Sequence, residues 1–253
     1  MSLKRLTSPL LSPINHGFYT RLGGASSGIF EGLNCGTGSS DQAEIVQINL
    51  SRVAEDMGGD LSDLVTVYQT HSATALTIAS TRSPETAADA MVCASPNITL
   101  AVLTADCQPV LFADPNAKII GAAHAGWRGA LNGVLDATID AMEGLGAQRE
   151  NIVGVIGPCI SQPAYEVGQD FIERFLEASP DNHCFFSNAK APEKYLFNLP
   201  GYGLFRLRKA GIKAAEWTQY CTYSDPKRFF SYRRATHQKQ ADYGRLISTI
   251  RLS

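Results

Sequence analysis

The spacing of apolar residues along the chain predicts strands and helices that alternate over its whole length. Apolar side chains repeat at helical spacing over 41–57, where Asp41 is placed to cap, and again over 128–143. Two more helices are expected over 168–178 and 200–210. Short apolar or β-branched runs predict strands at 16–21, 64–69, 74–79, 98–103, 109–113, 118–123, 151–156, 214–218, 229–232 and 246–252.

This order of elements contains no internal repeat, low-complexity tract or linker. With 253 residues, 44% of them hydrophobic, the chain can bury a substantial core. We therefore predict a single α+β domain over residues 1–253, built on mixed β-sheets.

One predicted hairpin gathers reactive side chains. Strand 109–113, a turn over 114–117 and strand 118–123 would bring Cys107, just before the first strand, close to His124, just after the second. The helix expected from residue 128 begins directly beyond. Because backbone N–H groups and the helix dipole favour an anion at a helix start, we expect a site with room for a phosphate-sized ligand.

Charge and cysteine usage exclude several classes of partner. The formal net charge is −2 with no long run of either sign, which gives no electrostatic support for binding nucleic acid or a membrane surface. The N-terminus lacks the apolar run of a signal peptide, and no stretch is long enough to span a bilayer. The six cysteines are far apart, with no CxxC pair, as suits reduced thiols. We expect a cytoplasmic protein that acts on small molecules.

Three of these reactive residues form a candidate metal-binding set. His71, Cys107 and His124 all fall at the ends of predicted strands, where neighbouring strands can present them at one rim. Two imidazoles and one thiolate suit Zn²⁺ with an open fourth position for water.

Two other readings use the same residues. The His₂Cys set also occurs in blue-copper sites, but Met91 is the only nearby methionine for an axial ligand, and the other three histidines are too few for a trinuclear copper cluster. Alternatively, Cys107 is a nucleophile, His124 its base and Asp106 an orienting group, as in cysteine hydrolases.

Six motifs, spread over nearly the whole chain, resemble the laccase-domain family of purine nucleoside phosphorylases, whose bacterial members have long been labelled polyphenol oxidases. The two most specific are Ala-Asp-Cys-x-Pro and His-Ala-Gly-Trp-Arg-Gly. The motifs lie at 16–24, 69–72, 104–109, 124–129, 157–168 and 229–234.

The resemblance implies a four-layer α/β/β/α arrangement and zinc held by His71, Cys107 and His124. It also implies phosphorolysis of adenosine, inosine, guanosine and methylthioadenosine, with adenosine deamination as a second activity. Other names used for the family leave two alternatives open: a copper-dependent polyphenol oxidase, and a cysteine amidohydrolase or peptidoglycan-precursor editing protein. The chain departs from the family pattern at 198–200 and in a longer segment at 235–243, which could reshape the rim of the pocket.

Residues expected to contact substrate follow from the same motifs. Phosphorolysis needs phosphate beside the ribose C1′, and a guanidinium can grip phosphate through two parallel hydrogen bonds. For this contact we rank Arg128 first, then Arg21, then Arg233 and Arg234. Further expected site residues are Gln69, at the substrate, and Asp106, as a supporting acid or as a group that orients the metal ligands.

Overall fold

The computed structural model, which describes residues 2–82 and 84–252, contains two packed β-sheets with helices on both outer faces. Its helices are α1 (Ala43–Asp56), α2 (Trp127–Asn132), α3 (Val134–Gly144), α4 (Gln169–Ala178), α5 (Leu199–Lys209) and α6 (Tyr232–His237). Its strands are β1 (Arg5–Leu6), β2 (Asn15–Tyr19), β3 (Leu64–Val65), β4 (Ala75–Thr77), β5 (Ala90–Cys93), β6 (Thr99–Thr104), β7 (Gln108–Asp114), β8 (Ile119–Ala125), β9 (Val153–Ile156), β10 (Glu166–Gly168), β11 (Phe186–Asn188), β12 (Lys194–Phe197), β13 (Ala214–Trp217) and β14 (Leu246–Arg251).

Both main sheets are mixed. One has the strand order β1-β2-β14-β6-β3 and the other β13-β9-β7-β8-β5-β4, while β10, β12 and β11 form a small separate sheet. The pairs β3–β6, β4–β5 and β9–β13 are parallel, and the remaining pairs are antiparallel. No helix within the described residues is long and apolar enough to cross a membrane.

The two faces of the larger sheet bury different partners, as alternation along a strand requires. In β7, Leu111 packs into the layer between the two sheets, and Phe112 packs on the other face with residues of α3 and α5. Helix α1 covers the outer face of the smaller sheet through a third apolar cluster. The order of layers is therefore helix, sheet, sheet, helix, and the expected α/β/β/α fold with mixed sheets is confirmed.

The helix predicted over 128–143 is two helices. Gly133 ends α2 in the left-handed conformation, with φ 99° and ψ 26°, and α3 begins at the next residue. The apolar spacing continues across the break, so periodicity alone could not reveal it. Helix α2, which follows directly after β8, is therefore only six residues long.

Three other expectations were wrong in detail. Asp41 does not cap α1, because its carboxylate accepts hydrogen bonds from Gln42 N and Asn34 Nδ2 while the helix begins at Ala43. The strand expected over 64–69 ends at Val65. Residues 229–231 are not a strand: the phenylalanines fill a small apolar cluster, and Ser231 caps α6.

We predict that Gly133→Ala destabilises the protein by about 1 to 2 kcal/mol, the usual cost of a left-handed conformation for a residue with a Cβ. The matched control is Gly144→Ala, at the end of α3, where a Cβ meets nothing within 4 Å and φ is not positive. Urea unfolding would measure both. An equal midpoint for the Gly133 variant and the wild type would contradict the assignment of strain to this residue.

Candidate metal centre

One group of His and Cys side chains in the described part of the chain is spaced to hold a metal ion. The ligand atoms of His71, Cys107 and His124 all lie within 4.8 Å of one another, and Cys107 Sγ is 3.7 Å from His71 Nε2. Bonds of about 2.0 to 2.3 Å to a tetrahedral zinc place ligand atoms about 3.3 to 3.8 Å apart. The three donors therefore fit such an ion after a small contraction.

The β7–β8 hairpin brings two of the ligands together, as expected. Pro109 pairs with His124 across the hairpin, which places Cys107 at the same edge of the sheet. Between β6 and β7 the chain reverses at Asp106, whose φ is 85°. This turn presents the Cys107 thiol beside the end of β8.

The buried carboxylate of Asp89 fixes the orientation of His124. His124 Nδ1 lies 2.7 Å from Asp89 Oδ1, and Asp89 is fully buried. A carboxylate accepts hydrogen bonds, so Nδ1 carries the proton and donates it. This leaves Nε2 of His124 as the atom available to a metal, a ligand arrangement common in zinc sites.

The same carboxylate builds the turn that carries His71. Asp89 accepts hydrogen bonds from the backbone N–H groups of Thr70, His71 and Ser72, at 3.1, 3.0 and 2.6 Å, and from the Ser72 hydroxyl at 2.8 Å. His71 has a φ of 61°, which is uncommon for a residue with a Cβ. Four hydrogen bonds to one carboxylate hold the backbone in this conformation.

Gly126 leaves the space that the ligands occupy. A Cβ at this position would lie 2.7 Å from His71 Cδ2 and 2.9 Å from Cys107 Sγ. A larger residue would therefore displace the side chains of His71 and Cys107. Glycine is therefore required here for close approach, although its own backbone conformation is ordinary.

The ligands favour a thiolate before any metal binds. Burial raises the pKa of the Cys107 thiol, but the charge of His124 and hydrogen bonds from His124 and His71 lower it, with a net value of about 6. Burial lowers the pKa of His124, whereas the Cys107 thiolate and Asp89 raise it to about 9. Burial raises the pKa of Asp89, but hydrogen bonds from His124 and Ser72 bring it down to about 2. A metal that binds His124 Nε2 would therefore displace the proton on that atom, while Nδ1 keeps the proton that it donates to Asp89.

Two predicted site residues, Asp106 and Gln69, hold neighbouring segments of the chain in place through their hydrogen bonds. Asp106 accepts hydrogen bonds from Thr222 Oγ1, Ser231 Oγ and Arg233 N, so its carboxylate holds the first turn of α6. Burial raises the pKa of Asp106, and these donors oppose the shift. Gln69 exchanges two hydrogen bonds of 2.8 Å with the backbone of Leu103, which ties the segment before His71 to β6.

The four arginines expected at the phosphate lie in three different places. Arg233 lines a cleft beside the metal ligands, and its Nη1 donates to Glu166 O. Arg21 and Arg234 line a separate small pocket, and each is occupied by three hydrogen bonds to backbone carbonyls. Arg128 is exposed, with its guanidinium 5.2 Å from the Trp127 ring centroid. The structure does not bring the four side chains together.

Two clefts meet at the metal ligands. The first, of about 440 Å³, is called the aromatic cleft because Trp127, Tyr165, Phe171 and Tyr232 line it. The second, of about 690 Å³, is called the polar cleft; besides the three ligands, its lining includes Thr37, Gln69, Thr104, Tyr243 and Arg245. His71, Cys107 and Tyr232 line both clefts.

Sequence reasoning missed Asp89, the aromatic wall and Arg245. Asp89 gave a usable signal, since it is an acidic residue directly before the apolar run Ala90–Cys93, and a charge at such a position needs a buried partner. The aromatic wall gave none, because its members come from residues 127, 165, 171 and 232, which only the fold unites.

The fold and the centre together define an α/β/β/α protein whose described residues contain one His-Cys-His centre, between two clefts. Comparison with known proteins identifies the family of the chain. A family model described as multi-copper polyphenol oxidoreductase laccase matches residues 15–253. The chain belongs to this family.

Relatives of the chain carry a different label. The chain is 34% identical to a purine nucleoside phosphorylase of Deinococcus radiodurans over 251 residues. The match covers 99% of this chain and 93% of the Deinococcus protein. A purine nucleoside phosphorylase of Pseudomonas aeruginosa is 34% identical over 217 residues, with 86% of each chain covered. A crystal structure of a Neisseria meningitidis protein superposes with a TM-score of 0.88 at 33% identity and covers 100% of both chains. The resemblance read from the motifs is confirmed.

We predict that Asp89→Asn lowers zinc affinity by about 10- to 100-fold, because the variant loses the group that fixes the His124 tautomer and the His71 turn. Competition with a chelating dye would measure this affinity.

Asp114→Asn is the matched control for this change. Asp114 is equally buried and accepts hydrogen bonds from Asn116 N, Ala117 N and Gln148 N, away from the ligands. This variant should lose stability and keep its zinc affinity. Equal zinc affinity in the Asp89 variant and the wild type would contradict the role given to Asp89.

We also predict how Cys107 reacts with iodoacetamide in the metal-free protein. Only the thiolate reacts, and because the pKa is lowered to about 6, alkylation should stay fast above pH 6 and fall as the pH drops through that value. Peptide mapping by mass spectrometry distinguishes Cys107 from the exposed Cys184 in the same sample. A midpoint near the ordinary thiol value of about 8.5 would refute the thiolate–imidazolium pair.

Proposed function

We propose that this protein is a zinc-dependent purine nucleoside phosphorylase that also deaminates adenosine. The observation that carries the proposal is the position of the His-Cys-His centre between two clefts. His71 and Cys107 line the aromatic cleft on one side, and all three ligands line the polar cleft on the other. A nucleoside has one planar aromatic part and one polar part. Adenosine, inosine, guanosine and methylthioadenosine are the proposed substrates, in a cytoplasmic enzyme.

The aromatic cleft offers a surface for the base. Trp127 and Phe171 have ring centroids 4.8 Å apart, and Tyr165 lies 5.9 Å from Phe171 in an edge-to-face arrangement. Such rings bind a planar base by stacking and by excluding water, without regard to its exocyclic groups. This tolerance supports a substrate range that includes both amino- and oxopurines.

The residues of the centre would serve both reactions. Zinc bound by His71, Cys107 and His124 would supply a Lewis acid that polarises an oxygen or activates water. Asp89 keeps His124 in the tautomer that binds metal, and Asp106 holds the start of α6, which carries Tyr232 and Arg233 into the aromatic cleft. Asp89 accepts five hydrogen bonds and has no free position for direct proton transfer to substrate, whereas Asp106 accepts three and lines the aromatic cleft, where it would serve as the supporting acid.

The copper oxidase reading has less support. The family description names several coppers, but the described residues contain one His-Cys-His group. Of the other histidines, His16 is hydrogen-bonded to Ser8 N and Ile14 O, and His237 to Tyr223. A trinuclear cluster would need histidines that are not near this centre.

A metal-free cysteine hydrolase is the second candidate, and one observation favours it. Cys107 is hydrogen-bonded to His124, and His124 to Asp89, as in a nucleophile, its base and the group that orients the base. Asp89, and not Asp106, has the geometry of the third member. Dependence of activity on zinc separates this candidate from the proposal.

We predict that Cys107→Ala loses its bound zinc and that inosine phosphorolysis and adenosine deamination fall together, by about a hundredfold or more, since one ligand of a shared metal is gone. The assay follows hypoxanthine, ribose 1-phosphate and ammonia, with and without phosphate, beside metal analysis.

Cys93→Ala is the matched control, because Cys93 is a buried cysteine in the layer between the sheets and contacts no ligand. It should keep zinc and both activities. Activity that survives zinc removal but not loss of the thiol would favour the hydrolase, and phenol oxidation that requires added copper would favour the oxidase.

A further inference from the structure

The polar cleft contains one permanently charged side chain. Among the described residues that line it, Arg245 is the sole Lys or Arg, and none is Asp or Glu. A metal held by one thiolate and two neutral imidazoles would add a further net positive charge at the inner end of the same cleft. The described lining thus carries a cation and no carboxylate, and with the metal bound its charge would be positive, which favours an anionic ligand.

The backbone around Arg245 is fixed. Its N–H donates to Asn34 Oδ1 at 2.9 Å, and its carbonyl accepts from Cys35 N at 3.1 Å. The aliphatic stem lies against Gly36, where a Cβ would come within 2.6 Å of Arg245 Cδ. The guanidinium lies over the Tyr243 ring at 4.4 Å. Few rotamers remain, so little entropy would be lost on binding.

The guanidinium nevertheless keeps unused donors. Its one hydrogen bond to the described residues runs from Nη1 to Tyr243 O at 3.1 Å. The nearest carboxylate, Asp242, is 3.8 Å from Nη1 and accepts hydrogen bonds from Ser40 N, Ser40 Oγ and Tyr243 N. Nε and Nη2 of Arg245 thus stay available, and together they form the edge that binds two oxygens at once.

Other donors line the same cleft. Thr104 is 3% exposed, and its Oγ1 has no hydrogen-bond partner within residues 2–82 and 84–252. Over the same residues, the backbone N–H groups of Thr37 and Gly38 donate no hydrogen bond. A tetrahedral oxyanion has enough acceptor oxygens for several of these donors at once.

We propose that Arg245 binds phosphate in the polar cleft, on the opposite side of the metal ligands from the base. The inference deepens the proposed function and rests on it for the identity of the reaction. The sequence motifs favoured Arg128, Arg21, Arg233 and Arg234 for the phosphate contact. The proposal assigns this contact to Arg245 instead. Arg21 and Arg234 are committed to carbonyls in another pocket, and Arg233 lines the aromatic cleft.

The test compares Arg245→Gln and Arg245→Lys in the zinc-loaded protein. Isothermal titration calorimetry with inorganic phosphate gives affinity without reference to activity, and the phosphate KM for inosine phosphorolysis gives a second readout. We expect Arg245→Gln to weaken phosphate binding and raise the phosphate KM about tenfold or more, since charge-assisted hydrogen bonds are lost. Arg245→Lys keeps the charge and loses the planar edge, so its effect should be intermediate.

Two further arginine variants complete the design. Arg208→Gln removes an exposed guanidinium on α5, outside both clefts, and should leave phosphate binding as in the wild type. Arg128→Gln tests the residue ranked first by motif. The proposal would be overturned if phosphate binding were weaker in the Arg128 variant and unchanged in the Arg245 variants. Urea midpoints identify any variant that fails to fold, and Arg245→Lys then carries the test.

The outcomes separate this inference from the proposed function. Phosphate binding that depends on Arg245, without phosphorolysis, would leave the site standing and reject the phosphorylase. If Arg245→Gln catalyses phosphorolysis with an unchanged phosphate KM, the phosphate site at Arg245 is rejected and the phosphorylase function is kept. A wild type that binds no phosphate would also reject the site. A parallel titration with adenosine monophosphate distinguishes free phosphate from a nucleotide phosphate as the anion; tighter binding of the nucleotide would assign the cleft to the latter.

Discussion

The carboxylate of Asp89 is the interaction on which the centre depends. It is fully buried and accepts hydrogen bonds from three consecutive backbone N–H groups at residues 70–72, from the Ser72 hydroxyl and from His124. A buried carboxylate without donors is strongly unfavourable, so the protein must fold with these donors in place. Two of the three metal ligands are thereby oriented by a residue that does not itself bind the metal.

A second carboxylate has the corresponding role for the walls of the clefts. Asp106 is adjacent to Cys107, and its side chain holds the first turn of α6 through Ser231 Oγ and Arg233 N. One tight turn thus presents the thiol ligand and anchors the helix that carries Tyr232, a residue common to both clefts. The ligand set and the space for substrate are fixed by the same local geometry.

The sequence analysis succeeded where local signals decide the structure. Turn residues located the hairpin that joins Cys107 to His124, and the expectation that His71 lies beside these two residues was correct although the strand before it ends at Val65. It failed where the deciding contact is distant in sequence or depends on a single dihedral angle. Gly133 divides a continuous periodic pattern, and the partners of Asp89 lie 17 to 19 residues before it and 35 residues after it. Arginine motifs alone do not show which guanidinium is occupied by carbonyls and which has free donors.

The place of β14 has a consequence for biosynthesis. This strand lies between β2 and β6 in the middle of its sheet, although it is made of residues 246–251. While the ribosome is still extending the chain, β2 and β6 have no partner between them, and the sheet closes only after this late segment has emerged. Arg245 directly precedes the strand, so the polar cleft gains its cation at that same late step. The nascent polypeptide can therefore assemble its thiol and imidazole ligands well before it can complete the opposite wall.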